Sequence, residues 1–133
     1  MILVDTSVWI EVLRNRSGEA QRLQAWLGGQ EPVLARFTQL ELLQGARDEK
    51  EWALLHDYLG SQTYLDPEPD CWARAARVYF DLRRAGSTVR SPIDCCIAQL
   101  GLDHRMTLLH QDRDFEAIAA IRSLSQIRFD QLS

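Results

Sequence analysis

The sequence predicts an α/β fold in which a mostly parallel sheet is covered by helices on both faces. Two patterns and one bound carry that expectation. Short apolar segments bounded by turn residues alternate along the chain with longer stretches whose apolar residues recur at helical spacing. Strands separated by helices imply βαβ units, and these build parallel sheets in three layers. The length, 133 residues and 15.3 kDa, allows one core and is too short for two, so residues 1–133 are expected to form a single domain.

The elements follow in chain order. Ile2 to Val4 is a strand candidate, and the helix after it runs through Val8-Trp9-Ile10-Glu11-Val12-Leu13. A second helical stretch covers Glu19 to Leu27 and stops at Gly28-Gly29. Pro32-Val33-Leu34-Ala35 is short, bounded and apolar, the mark of a buried strand. Helices then run from Thr38 to Gln44, before Gly45, and from Asp48 to Leu59, before Gly60. Thr63-Tyr64-Leu65 is a brief extended piece, and Asp66-Pro67-Glu68-Pro69-Asp70 is a rigid turn. From Asp70 to Gly86 the pattern is helical, with Trp72, Ala75, Ala76, Tyr79 and Leu82 on one face. Arg74, Arg77 and Arg84 fall elsewhere and read as a solvated face. Ser91-Pro92 opens another helix, with Ser as N-cap and Pro at the first helical position. Thr107 to His110 is a strand, Asp112 to Ile121 a helix, and Ile127 to Phe129 a final strand.

Composition narrows the setting. The longest apolar run, Ala117 to Ile121, is far shorter than a membrane span. The first residues read as a strand with no basic region ahead of them, which argues against a secretory signal. Three cysteines, two of them adjacent as Cys95 and Cys96, make no disulfide framework. The cytoplasm is the expected compartment. Net charge is −4, from 19 acids against 15 bases, and 14 of the bases are Arg beside the single Lys50. An acidic balance argues against a nucleic-acid partner. That argument weakens if several acids are gathered in one metal site, and the guanidinium bias suits a phosphate-rich ligand.

Four acids repeat one structural situation. Asp5 ends the first strand, and Glu41 lies in the first turn of the helix after the Val33 strand. Asp94 lies in the first turn of the helix opened by Ser91-Pro92. Asp112 follows the Leu108-Leu109 strand, with Asp114 two residues on. In an open parallel sheet the carboxyl ends of the strands share one edge, so acids placed there converge although they are distant in sequence. Each also has a structural reading. Thr38-Gln39-Leu40-Glu41 and Ser91-Pro92-Ile93-Asp94 fit the capping-box pattern, Asp112 fits an N-cap, and Asp5 an Asx turn. Convergence without a cation is unfavourable: two carboxylates 4 Å apart repel by about 4 kcal/mol at an effective dielectric of 20. A hard divalent ion, magnesium or manganese, suits such an oxygen site, and no Cys/His cluster points to zinc.

These residues resemble the four acidic motifs of PIN-domain ribonucleases, and most closely the VapC toxin branch of bacterial type II toxin–antitoxin pairs. The resemblance is carried by Asp5-Thr6-Ser7-Val8-Trp9-Ile10, by Thr38-Gln39-Leu40-Glu41-Leu42-Leu43-Gln44-Gly45, by Ser91-Pro92-Ile93-Asp94-Cys95-Cys96-Ile97-Ala98 and by Asp112-Arg113-Asp114-Phe115. It spans essentially the whole chain. It implies a five-stranded parallel sheet, a homodimer, and a small cognate VapB-type antitoxin seated in the active-site groove. It further implies a metal-dependent endoribonuclease that hydrolyses tRNA or mRNA to 5′-phosphate and 3′-hydroxyl ends. Asp5, Glu41, Asp94 and Asp112 match the catalytic acids; Asp5, Asp94 and Asp112 match the ligands of Mg²⁺, for which Mn²⁺ can substitute. Asp114 matches an acid sometimes added to them.

One departure stands out. The family places Thr or Ser two residues before the fourth acid, where this chain has His110. His110 either faces the acids, as a proton-transfer group or phosphate contact, or replaces a hydrogen-bonding hydroxyl. Arg14, Arg16, Arg36, Arg90 and Arg113 lie near the site-bearing segments and are the candidates for attracting RNA. Cys95 and Cys96 read as small buried residues, and Trp9, Trp26, Trp52 and Trp72 as core or dimer contacts. Two alternatives compete: a non-catalytic PIN-like binding module, and a metal-dependent phosphotransfer enzyme. A dehalogenase-type aspartyl nucleophile would require a second Asp where Ser7 stands, and a receiver domain a late lysine, which the chain lacks.

Overall fold

The computed structural model describes residues 1–14 and 18–132. Its strands are β1 (Ile2–Val4), β2 (Pro32–Leu34), β3 (Thr63–Tyr64), β4 (Thr107–His110) and β5 (Gln126–Arg128). They form one five-stranded sheet in the order β3-β2-β1-β4-β5, and every pairing is parallel. The helices are α1 (Thr6–Leu13), α2 (Glu19–Leu27), α3 (Arg36–Gln44), α4 (Glu49–Gly60), α5 (Cys71–Arg84), α6 (Pro92–Asp103) and α7 (Asp114–Ala119). The fold class is the α/β class that the alternation predicts.

Strand alternation divides the core in two. Leu3, Val33 and Leu108 point to one side, where they pack with Ala75, Val78 and Leu82 of α5, Ile97 of α6 and Phe115 of α7. Ile2, Val4, Leu34 and Leu109 point to the other, against Val8 and Trp9 of α1, Leu23 of α2 and Phe129. The central strand is therefore buried on both faces, which explains its unbroken Ile-Leu-Val run. Because all strands run the same way, their carboxyl ends share an edge, and α1, α3, α6 and α7 present elements of the site there.

Several local expectations are corrected. α3 begins at Arg36 with Ala35 as an extended N-cap making no side-chain bond. Thr38 is thus inside the helix and fully buried, and Glu41 lies in the second turn rather than the first. α7 begins at Asp114, so Asp112 stands before the helix. β5 ends at Arg128, because Phe129 opens a short 3-10 turn and inserts its ring into the core. On α5 the buried stripe is Cys71, Ala75, Val78 and Leu82, whereas Trp72 is 54% exposed and Ala76 faces solvent. Arg74 causes part of this rotation. Its guanidinium donates to Asp103 on α6 and to Asp70, which turns the flank beside Ala75 into a polar staple. Of the four tryptophans, Trp9 is buried, while Trp52 and Trp72 are exposed.

Phe115 lies wholly inside, tilted against the ring of His110 at 5.1 Å between centroids. Truncation there leaves a cavity directly beneath the exit of β4. Phe115→Ala is expected to lower stability by about 3–5 kcal/mol, measured by urea unfolding; a loss under about 1 kcal/mol contradicts this account of the core.

Candidate active site

The acids are held in place mainly by hydroxyl, imidazole, guanidinium and backbone amide groups. Asp5, 4% exposed, N-caps α1 from the end of β1. Its Oδ2 accepts from the Ser7 amide at 3.0 Å and from the Ser7 hydroxyl at 2.6 Å. Ser7 Oγ in turn accepts from the Gln111 amide at 2.8 Å, tying the exit of β1 to the exit of β4. Burial raises the pKa of Asp5, and the bonds from Ser7 oppose that rise. The Asx-turn reading is therefore correct as local structure, and it also fixes where the carboxylate stands.

Glu41 reaches the same edge from α3. Thr6 Oγ1 lies 2.8 Å from Glu41 Oε1 and 2.9 Å from Thr38 Oγ1. A hydroxyl has one proton to give; directed at the carboxylate, it leaves Thr6 as acceptor from Thr38. No capping box forms at this position. Burial raises the pKa of Glu41, Thr6 lowers it, and the charge of Asp5 raises it further.

The tightest grouping is Asp94, Asp112 and Asp114, whose nearest carboxylate oxygens all lie within 4.8 Å of one another. Asp94 sits at the third position of α6, where Ser91 caps the helix by accepting from the Ile93 amide at 3.1 Å. Among the described residues the Asp94 carboxylate does not return to the Ser91 amide, and Ser91 Oγ caps the second helical amide rather than that of Asp94, so no capping box forms. Its pKa is pushed up to about 8, first by burial, then by the charges of Asp5, Asp112 and Asp114. Asp112 Oδ1 accepts from the Asp114 amide at 3.0 Å. The Asp112 amide donates to His110 Nδ1 at 3.1 Å, and His110 Nε2 meets Gln126 Oε1 at 2.6 Å. With Nδ1 accepting, the proton resides on Nε2 and is given to Gln126. His110 thus occupies the role of the expected hydroxyl: it is buried and orients the Asp112 turn.

Asp114 belongs to the close trio, and Asp5, expected beside Asp94 and Asp112, stands next to it as a charge on Asp94. Among the arginines singled out, Arg90 donates to Asp112 and Asp114, and Arg36 lies 3.8 Å from the Tyr64 ring. Arg113 is exposed, and Arg16 lies outside the described residues. Arg14 lines a groove of about 760 Å³ with Ile10, Leu13, Glu41, Arg47 and Leu54, between α1, α3 and α4. Cys95 is buried and its thiol is pushed up to about 11 by burial and the Asp94 charge, which leaves it unreactive. The sequence reading missed Thr6, Ser7 and Gln126. The first two had a signal: hydroxyls directly after an acid at a strand end.

The PIN domain family matches residues 2–121. Ribonuclease VapC11 of Mycobacterium tuberculosis is 36% identical to the chain over 138 positions, covering 97% of this chain and 99% of that protein. The chain belongs to the VapC family of PIN-domain ribonucleases. FitAcB from Neisseria gonorrhoeae superimposes with a TM-score of 0.74 at 26% identity, over 99% of this chain and 100% of that one. VapBC-5 from Mycobacterium tuberculosis, a member of the VapBC family of toxin–antitoxin systems, does so with a TM-score of 0.70 at 24% identity, over 96% and 97%. The VapC fold accounts for the topology, and in this chain His110 orients the last acid turn.

The raised pKa of Asp94 has a thermodynamic consequence. Between the ordinary aspartate value of 3.8 and about 8 the folded state binds more protons at this group than the unfolded state does. Stability of the metal-free protein therefore falls as pH rises through that window. The melting temperature without metal is expected to drop from pH 5 to pH 8, and Asp94→Asn to flatten the slope and raise the value at pH 8. Parallel pH profiles for the two proteins in scanning calorimetry would refute the crowding of these acids.

Proposed function

We propose that this VapC-family chain is the Mg²⁺-dependent endoribonuclease toxin of a toxin–antitoxin pair, hydrolysing phosphodiester bonds of tRNA or mRNA. The observation that supports it most is the gathering of Asp94, Asp112 and Asp114 at the carboxyl edge of the sheet, with Asp5 and Glu41 beside them. The donor set is all oxygen and mutually repulsive, which fits a hard divalent cation and no softer metal.

Asp5, Asp94 and Asp112 are the residues that would hold the ion. When bound, magnesium or manganese supplies the Lewis acidity that makes water a nucleophile near neutral pH and neutralises charge developing on the phosphodiester. Ser7 keeps Asp5 aimed, and His110 keeps the Asp112 turn fixed, so little reorganisation accompanies reaction. Glu41 Oε1 is committed to Thr6. Its other oxygen accepts no hydrogen bond among the described residues and would take the proton that the attacking water releases, a role that a raised pKa favours. Water adds to phosphorus as the P–O3′ bond breaks; the water's proton goes to Glu41, and the departing 3′-oxygen takes a proton from solvent, giving a 3′-hydroxyl and a 5′-phosphate.

The groove lined by Ile10, Leu13, Arg14 and Leu54 opens beside Glu41 and would seat the VapB-type antitoxin, in the cytoplasm, on a homodimeric toxin. No described helix is long and apolar enough to cross a membrane. Exposed Trp72, packed edge-on against Phe37 at 5.8 Å, and exposed Phe80 supply apolar surface for self-association.

Metal at about a hundred times its dissociation constant adds about 2.7 kcal/mol of stability. A melting-temperature rise of several degrees in millimolar Mg²⁺ or Mn²⁺ over EDTA is expected, and identical curves contradict the metal site. Asp94→Asn is expected to shrink that rise and to reduce cleavage of mixed tRNA and mRNA by orders of magnitude. Parent-like cleavage by this variant removes Asp94 from the site. Light scattering at micromolar concentration is expected to show twice the chain mass of 15.3 kDa.

A further inference from the structure

Arg90 immediately precedes the N-cap of α6, and its amide donates to Asp114 Oδ2 at 3.1 Å, so its backbone is fixed against the acids. Its guanidinium is placed differently. It donates to Asp112 Oδ2 and, at 3.5 Å, to Asp114 Oδ2, while its side chain remains 79% exposed and those two acids are 12% and 10% exposed. A cation on a long, solvated arm thus covers buried carboxylate oxygens from outside. Asp112 is one of the residues that would hold a divalent ion, with Asp114 beside it, and two cations on one carboxylate repel.

Beside this contact lies a basin of about 650 Å³ lined by Ser87, Thr88, Arg90 and Arg113. Arg113 makes no ion pair among the described residues. Glu116 also borders the basin, but Arg128 holds it at 3.2 Å. Two guanidinium groups and two hydroxyls are donors suited to a phosphodiester oxygen. The basin adjoins Asp114, so a phosphate there is a neighbour of the one to be cut.

We infer that Arg90 is a displaceable counter-ion: it occupies Asp112 and Asp114 in the metal-free chain, and the arriving divalent ion frees it to bind an RNA phosphate in the basin it shares with Arg113. The inference rests on the reading of the acids as a metal site. Arg90 then stands in for the metal and afterwards anchors substrate, which makes metal binding and RNA binding draw on one side chain.

The test is a calorimetric titration of the metal-free full chain with Mn²⁺, together with the KM for a short single-stranded RNA at saturating Mn²⁺. Arg90→Gln removes the competing cation and is expected to tighten Mn²⁺ binding by about tenfold, because the open form is no longer a minor population. Its KM for RNA is expected to rise several-fold. Arg113→Gln removes the same charge from the same basin without touching the acids. It is expected to raise KM several-fold while leaving Mn²⁺ affinity within about twofold, as exposed charges act weakly at a distance. Unchanged Mn²⁺ affinity in Arg90→Gln, an equal tightening in both variants, or an unchanged KM in Arg90→Gln overturns the inference. Absence of Mn²⁺ binding in all three proteins overturns the metal-site reading itself, and the inference with it.

Discussion

Carboxylates held together against their mutual repulsion are the constraint on which the rest of this structure depends. A pair separated by about 4 Å at an effective dielectric of 20 costs about 4 kcal/mol, comparable to much of the net stability of a domain, about 5–15 kcal/mol. The fold meets that cost largely by fixing the acids through groups that carry no negative charge. Ser7 fixes Asp5, Thr6 fixes Glu41, the first turn of α6 carries Asp94, and His110 fixes the backbone under Asp112. A parallel sheet whose central strand is buried on both faces supplies the frame, because only such a sheet brings this many strand exits to one edge.

Seen this way, the hydroxyls and the histidine matter as much as the acids. Ser7 joins the ends of two adjacent strands through a single oxygen that donates to Asp5 and accepts from Gln111. His110 passes orientation from β5, through Gln126, to the amide of Asp112. Neither group needs to touch substrate. Their work is geometric: they convert the stiffness of the sheet into a fixed separation between charges that would otherwise spread apart.

Much of this was legible in the sequence, for reasons that can be named. Ser91-Pro92 announces its helix because Pro at the first position gives up a hydrogen bond that the helix lacks anyway, and α6 begins there. The Ile-Leu-Val run of β1 announces burial on both faces. The capping pattern at Thr38 was misleading, since a helix can start without a side-chain cap when its first turn packs well, and α3 starts at Ala35-Arg36. The face of α5 was misread because Arg74 bonds across to Asp103 on α6, a partner that no periodicity within one helix can reveal. Asp114 entered the acid trio for a similar reason. Its place depends on the turn after β4, which depends on a tertiary contact to Gln126.

The position of β1 has a consequence for how the chain acquires its chemistry. This strand comes first in the sequence, yet it sits in the middle of the sheet, with Leu3 opposite both Val33 and Leu108. The pairing with Val33 closes a short loop, whereas the pairing with Leu108 must wait for nearly the whole chain and carries the larger closure entropy. Contacts of such long sequence separation form late and slow folding. On the ribosome, Asp5 is therefore made first but acquires Asp112 as a neighbour only once β4 has docked. The cluster of acids is thus a product of the last long-range closure of the sheet, and local folding of the early segments cannot assemble it.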